Sequence, residues 1–378
     1  MIWFYSIVSW MRSKVFYIDL RATLSRNIPQ KLSLLFSKAN FPNILKENDL
    51  VACKVHFGER GTTAFIRPVF VQTIIQLIKE SGAKPFLTDT NTLYVGNRMD
   101  AQSHLTTAIL NGFTFANMGV PIIIADGLRG QDGVDVEIDK KHFNKVRIAS
   151  SIYYADAMIV LSHCTGHILT GFACAIKNLG MGCATREGKL KMHSTVSPWI
   201  YEENCNGCGT CIKWCPANAI SLQTIAKTKK AKITTTKCIG CAACIGVCPQ
   251  KAIKVSWDED SKNGQEKIVE YAFGAIKGKP VGYINFLTDV TPLCDCPSAS
   301  DAPIVPNIGI LASNDPVAID QASYDLINEA PSMKNSAVKG KEGNKFKILY
   351  PEIDPEIQLR YGEEIGLGTR NYELIKIK

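Results

Sequence analysis

The sequence predicts an α/β fold: a mainly parallel sheet flanked by helices and interrupted by a small α+β module. Three observations predict it. Apolar runs of strand length alternate with helical patterns, glycines and short polar residues mark where those runs end, and eight of the fourteen cysteines crowd into residues 205–248. Strand and helix signals in alternation build βαβ units whose helices cover the sheet. The cysteine-rich stretch breaks the alternation, which then resumes. The α/β domain is therefore read as discontinuous, 12–197 and 258–330, with the module at 198–257 and a C-terminal tail at 331–378.

Residues 15–18 form a short apolar run and read as a buried strand, and 28–39 have amphipathic helical spacing. The strand at 50–57 ends in Lys54-Val55-His56-Phe57. Gly58-Glu59-Arg60-Gly61-Thr62-Thr63 then turns into a helix at 64–81, which Gly82 stops. The strand at 84–87 leads into Thr88-Asp89-Thr90-Asn91-Thr92, a loop dense in short polar side chains. A helix at 100–110 and a strand at 121–125 follow, the latter running into Asp126-Gly127. The strand at 156–161 precedes Ser162-His163-Cys164-Thr165-Gly166-His167, after which Thr170 can cap a helix and Gly180 can close it. Beyond the module come a helix at 266–276, strands at 281–287 and 307–311, and a helix at 316–328. Asp315 caps this last helix with Pro316 in its first position, and Asp320 is expected to serve its cap and core. The tail is Lys-rich, periodic only in pieces, and yields no element.

The module carries Cys205-x-x-Cys208-x-x-Cys211-x-x-x-Cys215-Pro216 and repeats it as Cys238-x-x-Cys241-x-x-Cys244-x-x-x-Cys248-Pro249. A tetrahedral zinc site needs four ligands and leaves half of these thiols unexplained. A disulfide framework belongs to small secreted chains. The doubled spacing is that of two [4Fe–4S] clusters, in which the fourth cysteine of each run ligates the other cluster. The expected sets are Cys205, Cys208, Cys211 and Cys248 for one, and Cys238, Cys241, Cys244 and Cys215 for the other. Asn218-Ala219-Ile220 answers Lys251-Ala252-Ile253, so the half-module is duplicated. The stretch resembles bacterial-type two-cluster ferredoxins.

Composition narrows the rest. At 46% apolar the chain can bury a large core, and its formal charge of +8 is mild for 378 residues. Lys227, Lys229, Lys230 and Lys232 read as a solvated hairpin or as a dock for an acidic redox partner such as a flavodoxin, ferredoxin or reductase. No nucleic-acid motif is present. The apolar residues 1–10 are too short to span a bilayer and lack a basic n-region, so Met11-Arg12-Ser13 is the expected natural start. No other apolar run reaches membrane length, and exposed cluster thiolates call for the reducing cytoplasm.

Candidate site residues fall outside the module. His163, His167, Lys177, Arg186, Lys189 and His193 lie within about thirty residues after one strand. They suit an anionic small-molecule site with histidine as proton donor. A metal site from His163, His167 and Cys164, or a polar loop packed on the module, are the competing readings. Cys294-Asp295-Cys296 can chelate a soft metal, form a strained redox pair, or be two idle thiols. The Gly58 to Thr63 loop offers amide groups at a helix start, which suits an anion, but as neither a Walker loop nor G-x-G-x-x-G it is a weak nucleotide signal.

Taken together, His56-Phe57-Gly58-Glu59, Thr88-Asp89-Thr90-Asn91-Thr92, Ala125-Asp126-Gly127, Ser162-His163 with Gly166-His167, Ala175-Ile176-Lys177-Asn178 and Asp315-Pro316-Val317-Ala318-Ile319-Asp320 resemble the "domain of unknown function 362" family, in members with a ferredoxin insert. The resemblance implies an α/β domain and two [4Fe–4S] clusters in a cytoplasmic protein of an anaerobe, and no particular reaction. Cys164-Thr165-Gly166-His167 stands where a Phe-Lys-Gly-His-like stretch is expected, which removes a basic side chain. The expected function is an iron–sulfur oxidoreductase whose clusters feed electrons to a site in the α/β domain. The alternatives are a non-catalytic electron carrier or accessory protein, and a module stapled by its clusters.

Overall fold

The computed structural model describes residues 12–377. The expectation for residues 1–10 falls outside them. The central sheet has eight strands: β1 (Ser13–Asp19), β2 (Leu50–Val55), β3 (Lys84–Asp89), β4 (Ile122–Ile124), β5 (Ala157–His163), β6 (Val281–Leu287), β7 (Gly309–Ser313) and β8 (Tyr372–Lys376). Their order is β8-β1-β7-β6-β5-β2-β3-β4. Pairing is parallel from β6 to β4 and between β8 and β1, while β7 runs antiparallel to both its neighbours. The sheet is therefore mixed but mostly parallel. Strands β5 and β6 are buried nearly end to end, as strands covered on both faces are.

Helices α1 (Ile28–Lys38), α2 (Pro68–Glu80), α3 (Ala101–Leu110), α4 (Ala175–Gly182), α5 (Arg186–His193), α6 (Ser261–Ile276), α7 (Pro316–Glu329) and α8 (Ile357–Glu364) supply the layers. One apolar core joins α1, α2 and α3 to one sheet face, and a second joins α4, α6 and α7 to the other. Local chemistry sets the ends. Pro68 starts α2 later than the apolar pattern begins, and Asp315 caps α7 through the amides of Val317 and Ala318, both at 2.9 Å.

Three expectations need correction, and one element was not foreseen. Thr170 does not cap α4: it lies in the short hairpin Thr165–His167 and Gly171–Ala173, and the helix starts after Cys174 and runs past Gly180 to Gly182. Asp320 caps this other helix from α7, accepting the amides of Ala175 and Ile176 at 2.9 and 2.8 Å. The tail is structured, with α8 packed against α6 and α7 and β8 pairing Ser13 with Tyr372 through Tyr17 with Lys376. As an edge strand β8 is largely exposed, so it has no continuous apolar run to betray it. The hairpin Gly133–Glu137 with Lys145–Ala149 had no expected counterpart.

The insert closes at its base where Trp199–Ile200 pairs with Ile253–Lys254. Between them run the hairpin Ile220–Ile225 with Thr228–Ile233 and two single-turn helices, Thr210–Lys213 and Ala243–Val247. The halves match in backbone as well as sequence. Gly207 and Gly240, Gly209 and Ala242, and Asn218 and Lys251 all have positive φ at equivalent positions. A small satellite core holds Cys211, Ile220, Ala231, Ala242, Cys244, Ile245 and Ile253, and Leu93 and Leu190 of the α/β body join it.

Candidate functional site

A cavity of about 580 Å³ opens where β2, β3, β5 and β6 deliver their C-terminal ends. In mostly parallel sheets this edge is where crevices form. Each strand contributes side chains just beyond its end: His56 after β2, Asp89 to Tyr94 after β3, His163 to Leu169 after β5, and Leu293 to Pro297 after β6. Helices α4 and α5 add Lys177 and His193, and Trp257 closes the side toward the insert.

The cavity brings His163, His167, Lys177, Lys189, His193, Cys294 and Cys296 together, although they span more than a third of the chain. Arg186 is not among them. Its Nε donates to the carbonyl of Thr92 at 3.2 Å, its Nη2 bonds Met99 O, and its head presses on Gly246 of the insert. Burial holds this guanidinium below its ordinary pKa. Helix α5 turns Arg186 away from Lys189 and His193, toward the insert. Lys189 reaches the cavity, but its three N–H bonds are committed to Thr90 Oγ1 (2.5 Å), Asn91 O (2.7 Å) and Ala184 O (2.9 Å). Burial pushes its pKa down to about 8 despite Asp126 and Asp89. An anion site built on Arg186 and Lys189 therefore does not form.

Lys177 serves the thiols instead. Its Nζ lies 3.8 Å from Cys296 Sγ, and His56 Nε2 approaches the same sulfur at 3.6 Å. The thiol of Cys294 hydrogen-bonds to Cys296 and, with Lys177 and His56, holds Cys296 well below the usual thiol range in spite of burial. The same bond, with burial, pushes Cys294 well up. The arrangement therefore favours negative charge on Cys296 and a proton on Cys294. Burial opposes the charge on Lys177, but Cys294, Cys296 and Asp295 outweigh it and raise the lysine's pKa.

The three histidines play separate parts. His163 faces Asp295 Oδ1 through Nδ1 at 2.8 Å and Thr288 O through Nε2 at 2.7 Å. Both partners are acceptors, so both ring nitrogens carry protons. Burial lowers its pKa, but Asp295 and Thr288 raise it further, for a net increase. His163 therefore anchors the residue between the two cysteines and is not free to relay a proton. His167 Nδ1 accepts from the amides of Leu169 and Thr170 at 3.2 and 3.3 Å, which leaves the proton on Nε2. Burial and Lys177 hold His167 well below its ordinary pKa and push His193, packed on Trp257, down to about 4. Cys164 is bonded to Cys174, one turn before Lys177, and cannot join a metal site with His163 and His167.

Beneath the cavity lies a charged base absent from the expected site. Lys54, fully buried, pairs with Asp89 at 2.9 Å and donates to Asn178 Oδ1 at 2.7 Å. Burial alone would raise Asp89, yet Lys54 and His104 hold it well below the carboxylate range. Arg98 lies 3.3 Å from Glu59, 2.8 Å from His56 Nε2 and 2.5 Å from the Tyr94 hydroxyl. A lysine inside an otherwise apolar strand was the available signal, since a buried lysine requires a partner. The Gly58 to Thr63 loop packs against residues 295–300, with Glu59 N on Asp295 O at 3.1 Å and Thr62 Oγ1 on Ser300 Oγ at 2.6 Å.

In the insert, Cys205, Cys208, Cys211 and Cys248 line one recess, and Cys215, Cys238, Cys241 and Cys244 line a second. All eight thiols are free. Backbone amides of Ala219, Ala231 and Ala252 point at the sulfurs of Cys215, Cys205 and Cys248 at 3.2 to 3.3 Å. No group of three or more His, Cys, Asp or Glu among the described residues is spaced for a single metal ion. No helix among them is long and apolar enough to cross a membrane.

The model of the family described as Domain of unknown function (DUF362) matches residues 51–325, and the chain belongs to that family. It is 28% identical over 162 residues to a thylakoid-associated protein of Synechocystis sp., a match covering 42% of this chain and 46% of that protein. The chain thus spans less than half the length of this curated relative. Among solved structures it is similar to a Thermotoga maritima protein at TM-score 0.38 and 12% identity, covering 69% of this chain and 51% of that one. It is also similar to the lactate racemase apoprotein of Thermoanaerobacterium thermosaccharolyticum at TM-score 0.35 and 12% identity, covering 74% and 52%. Likenesses this distant carry no argument about chemistry.

Proposed function

We propose that this member of the family is an iron–sulfur protein that binds two [4Fe–4S] clusters in its insert and passes electrons to the cavity of its α/β body. One observation carries the reading: the eight cysteines sort into two separate recesses, and each recess takes its fourth cysteine from the other half of the repeat. That is the crossed ligand set of a two-cluster module. A four-iron cube spreads its thiolates wider than one ion does, so cages that suit no single ion remain compatible with clusters. Amides aimed at three of the sulfurs stabilise thiolate charge, a recognised control on cluster potential. When bound, the clusters supply single electrons.

The body's residues supply the rest. Leu93 lines the cavity and also packs in the satellite core with Cys211 and Cys244, so the two sites share a wall. Arg186 and Arg129 both reach Gly246, which fixes the insert against the body. His167 presents an imidazole to the cavity that can donate one hydrogen bond from Nε2. Anaerobic purification followed by iron and sulfide analysis tests the reading. About eight iron per chain are expected, with Cys211→Ala damaging one cluster far more than the other. A folded protein holding zinc and no iron sinks it.

A carrier role without catalysis is the second reading. Exposed Trp214 and Ile239 on the insert, beside the lysine-bearing hairpin, favour it as a docking face for an acidic redox partner protein. A carrier has no need of the thiolate in the cavity, so loss of Cys296 separates the two readings.

A further inference from the structure

We propose that the cavity is a thiol–disulfide exchange site, in which Cys296 is the attacking thiolate, Cys294 the resolving thiol, and the substrate a small disulfide with apolar substituents.

Geometry carries the assignment. Two cysteines separated by one residue face the same cavity; Lys177 serves both and lies 3.8 Å from Cys296 Sγ, and His56 approaches Cys296 at 3.6 Å. Gly58 N donates to His56 Nδ1 at 3.0 Å and Arg98 lies 2.8 Å from Nε2, so the ring is held with its Nε2 edge toward the sulfur. Asp295 between the cysteines is tied by His163, so the loop is held while its sulfurs react. The wall is largely apolar: Leu93, Ile168, Leu169, Met181 and Leu293 line it. The remaining cations are already paired or hydrogen-bonded, which selects against a strongly charged substrate. Cysteine pairing on this wall has a precedent in the Cys164–Cys174 bond, whose Cys174 faces the same space.

The chemistry balances without an outside oxidant. Cys296 thiolate attacks one sulfur of the substrate disulfide, forming a mixed disulfide and expelling the first substrate thiolate. Cys294 then gives its proton to the expelled thiolate and attacks Cys296 Sγ. The Cys294–Cys296 bond forms, the mixed bond breaks, and the second thiolate leaves. Two electrons have moved from the cysteine pair to the substrate. A bond closed across one intervening residue is a tight loop, and strained disulfides are the labile ones. Its return to the starting thiolate–thiol pair needs two electrons and one proton. Only this step rests on the function proposed above, with the insert's clusters as one-electron donors.

The test uses the anaerobically purified protein, pre-reduced and desalted, with 4,4′-dithiodipyridine, an uncharged aromatic disulfide, as the probe. Wild type is expected to release a second thiolate after the first and to yield a peptide crosslinked between Cys294 and Cys296. Cys294→Ser should stop at a mixed disulfide on Cys296. Lys177→Gln should move the pH profile of the first release up by roughly one pH unit, slowing it about tenfold on the acid side of that profile. Peptide mapping separates these thiols from those of the insert, so missing clusters and missing exchange give different results. The proposal is overturned if folded wild type shows no Cys294–Cys296 crosslink, or if Cys294 reacts as fast as Cys296. Should Cys294→Ser fail to fold, the wild-type crosslink and the Lys177→Gln rate still decide.

Discussion

The insert and the cavity both gather sulfur, and they do it in opposite ways. In the insert, eight thiols come from one short stretch and are cradled by backbone, with amides on three sulfurs and left-handed residues repeated in each half. In the cavity, three cysteines come from positions 174, 294 and 296, and the two free thiols are governed by side-chain charge from strands, helices and loops far apart in sequence. The first arrangement is local and tolerates change in the rest of the chain. The second depends on the whole sheet holding its strand ends in register. The two regions should therefore fail differently when perturbed.

The largest difference is expected from Lys54→Met. The substitution leaves Asp89 buried without its main partner, and breaking one side of a buried pair typically costs about 3–5 kcal/mol. Chemical denaturation should show the body losing that much stability while cluster absorbance, read separately, stays on the insert until the body unfolds. A loss under about 1 kcal/mol would mean that Asp89 is served by His104 and the pair is not what holds the cavity floor.

That contrast also governs what could be read from sequence. The gathering of the eight cysteines needed only spacing, because within each run a cysteine lies three or four residues from the next. The parallel strands and most helices were legible from apolar period, and Asp315 with Pro316 marked the start of α7 correctly. The roles in the cavity were not. Arg186 and Lys189 lie three residues apart on one short helix, yet one faces the insert and the other is used up by carbonyls and a hydroxyl. Their count in a segment said nothing about their free hydrogen bonds. Lys54, His56 and Arg98 come from other strand ends, and no spacing rule links them to Cys296. Strand β8 was missed because an edge strand carries little apolar signal.

Replacing both Cys164 and Cys174 with alanine is the next test. The bond closes a loop of ten residues in sequence separation, and a loop of that length is worth about 2–3 kcal/mol. Thermal unfolding should move down accordingly, with iron content unchanged. A fall in iron content would show that the two sulfur regions are coupled after all.

A smaller effect is expected at their junction. A Cβ on residue 246 would overlap Arg186 Nη1, whose side chain is held by Met99 and Thr92. Gly246→Ala should cost on the order of 1–2 kcal/mol through overpacking. Limited proteolysis should find the insert's junctions, near Ser194 to Pro198 and at Trp257, cut faster while the body stays resistant. Equal protection in variant and wild type would mean that Arg186 yields without loosening the insert.

The smallest effect is a pH dependence confined to the cavity. The folded-state pKa of His163 is raised by Asp295 and Thr288, which outweigh burial. An imidazole raised in the folded state gives its full stabilisation below the unfolded value of about 6.5 and loses it as pH climbs through the folded value. Between those two values the slope reaches at most about 1.4 kcal/mol per pH unit, the free energy of one pKa unit. His163→Gln removes this group, so the stability gap between wild type and variant should be widest below pH 6.5 and narrow above it. His193 and His104, pushed down to about 4 by burial, act in the opposite direction, destabilising both proteins alike as pH falls from about 6.5 toward 4. The difference between the two proteins cancels that common term and isolates His163. A gap that stays constant from pH 6 to 9 would mean that His163 holds Asp295 as a neutral ring, and the loop carrying Cys294 and Cys296 would then be anchored by hydrogen bonds without an ion pair.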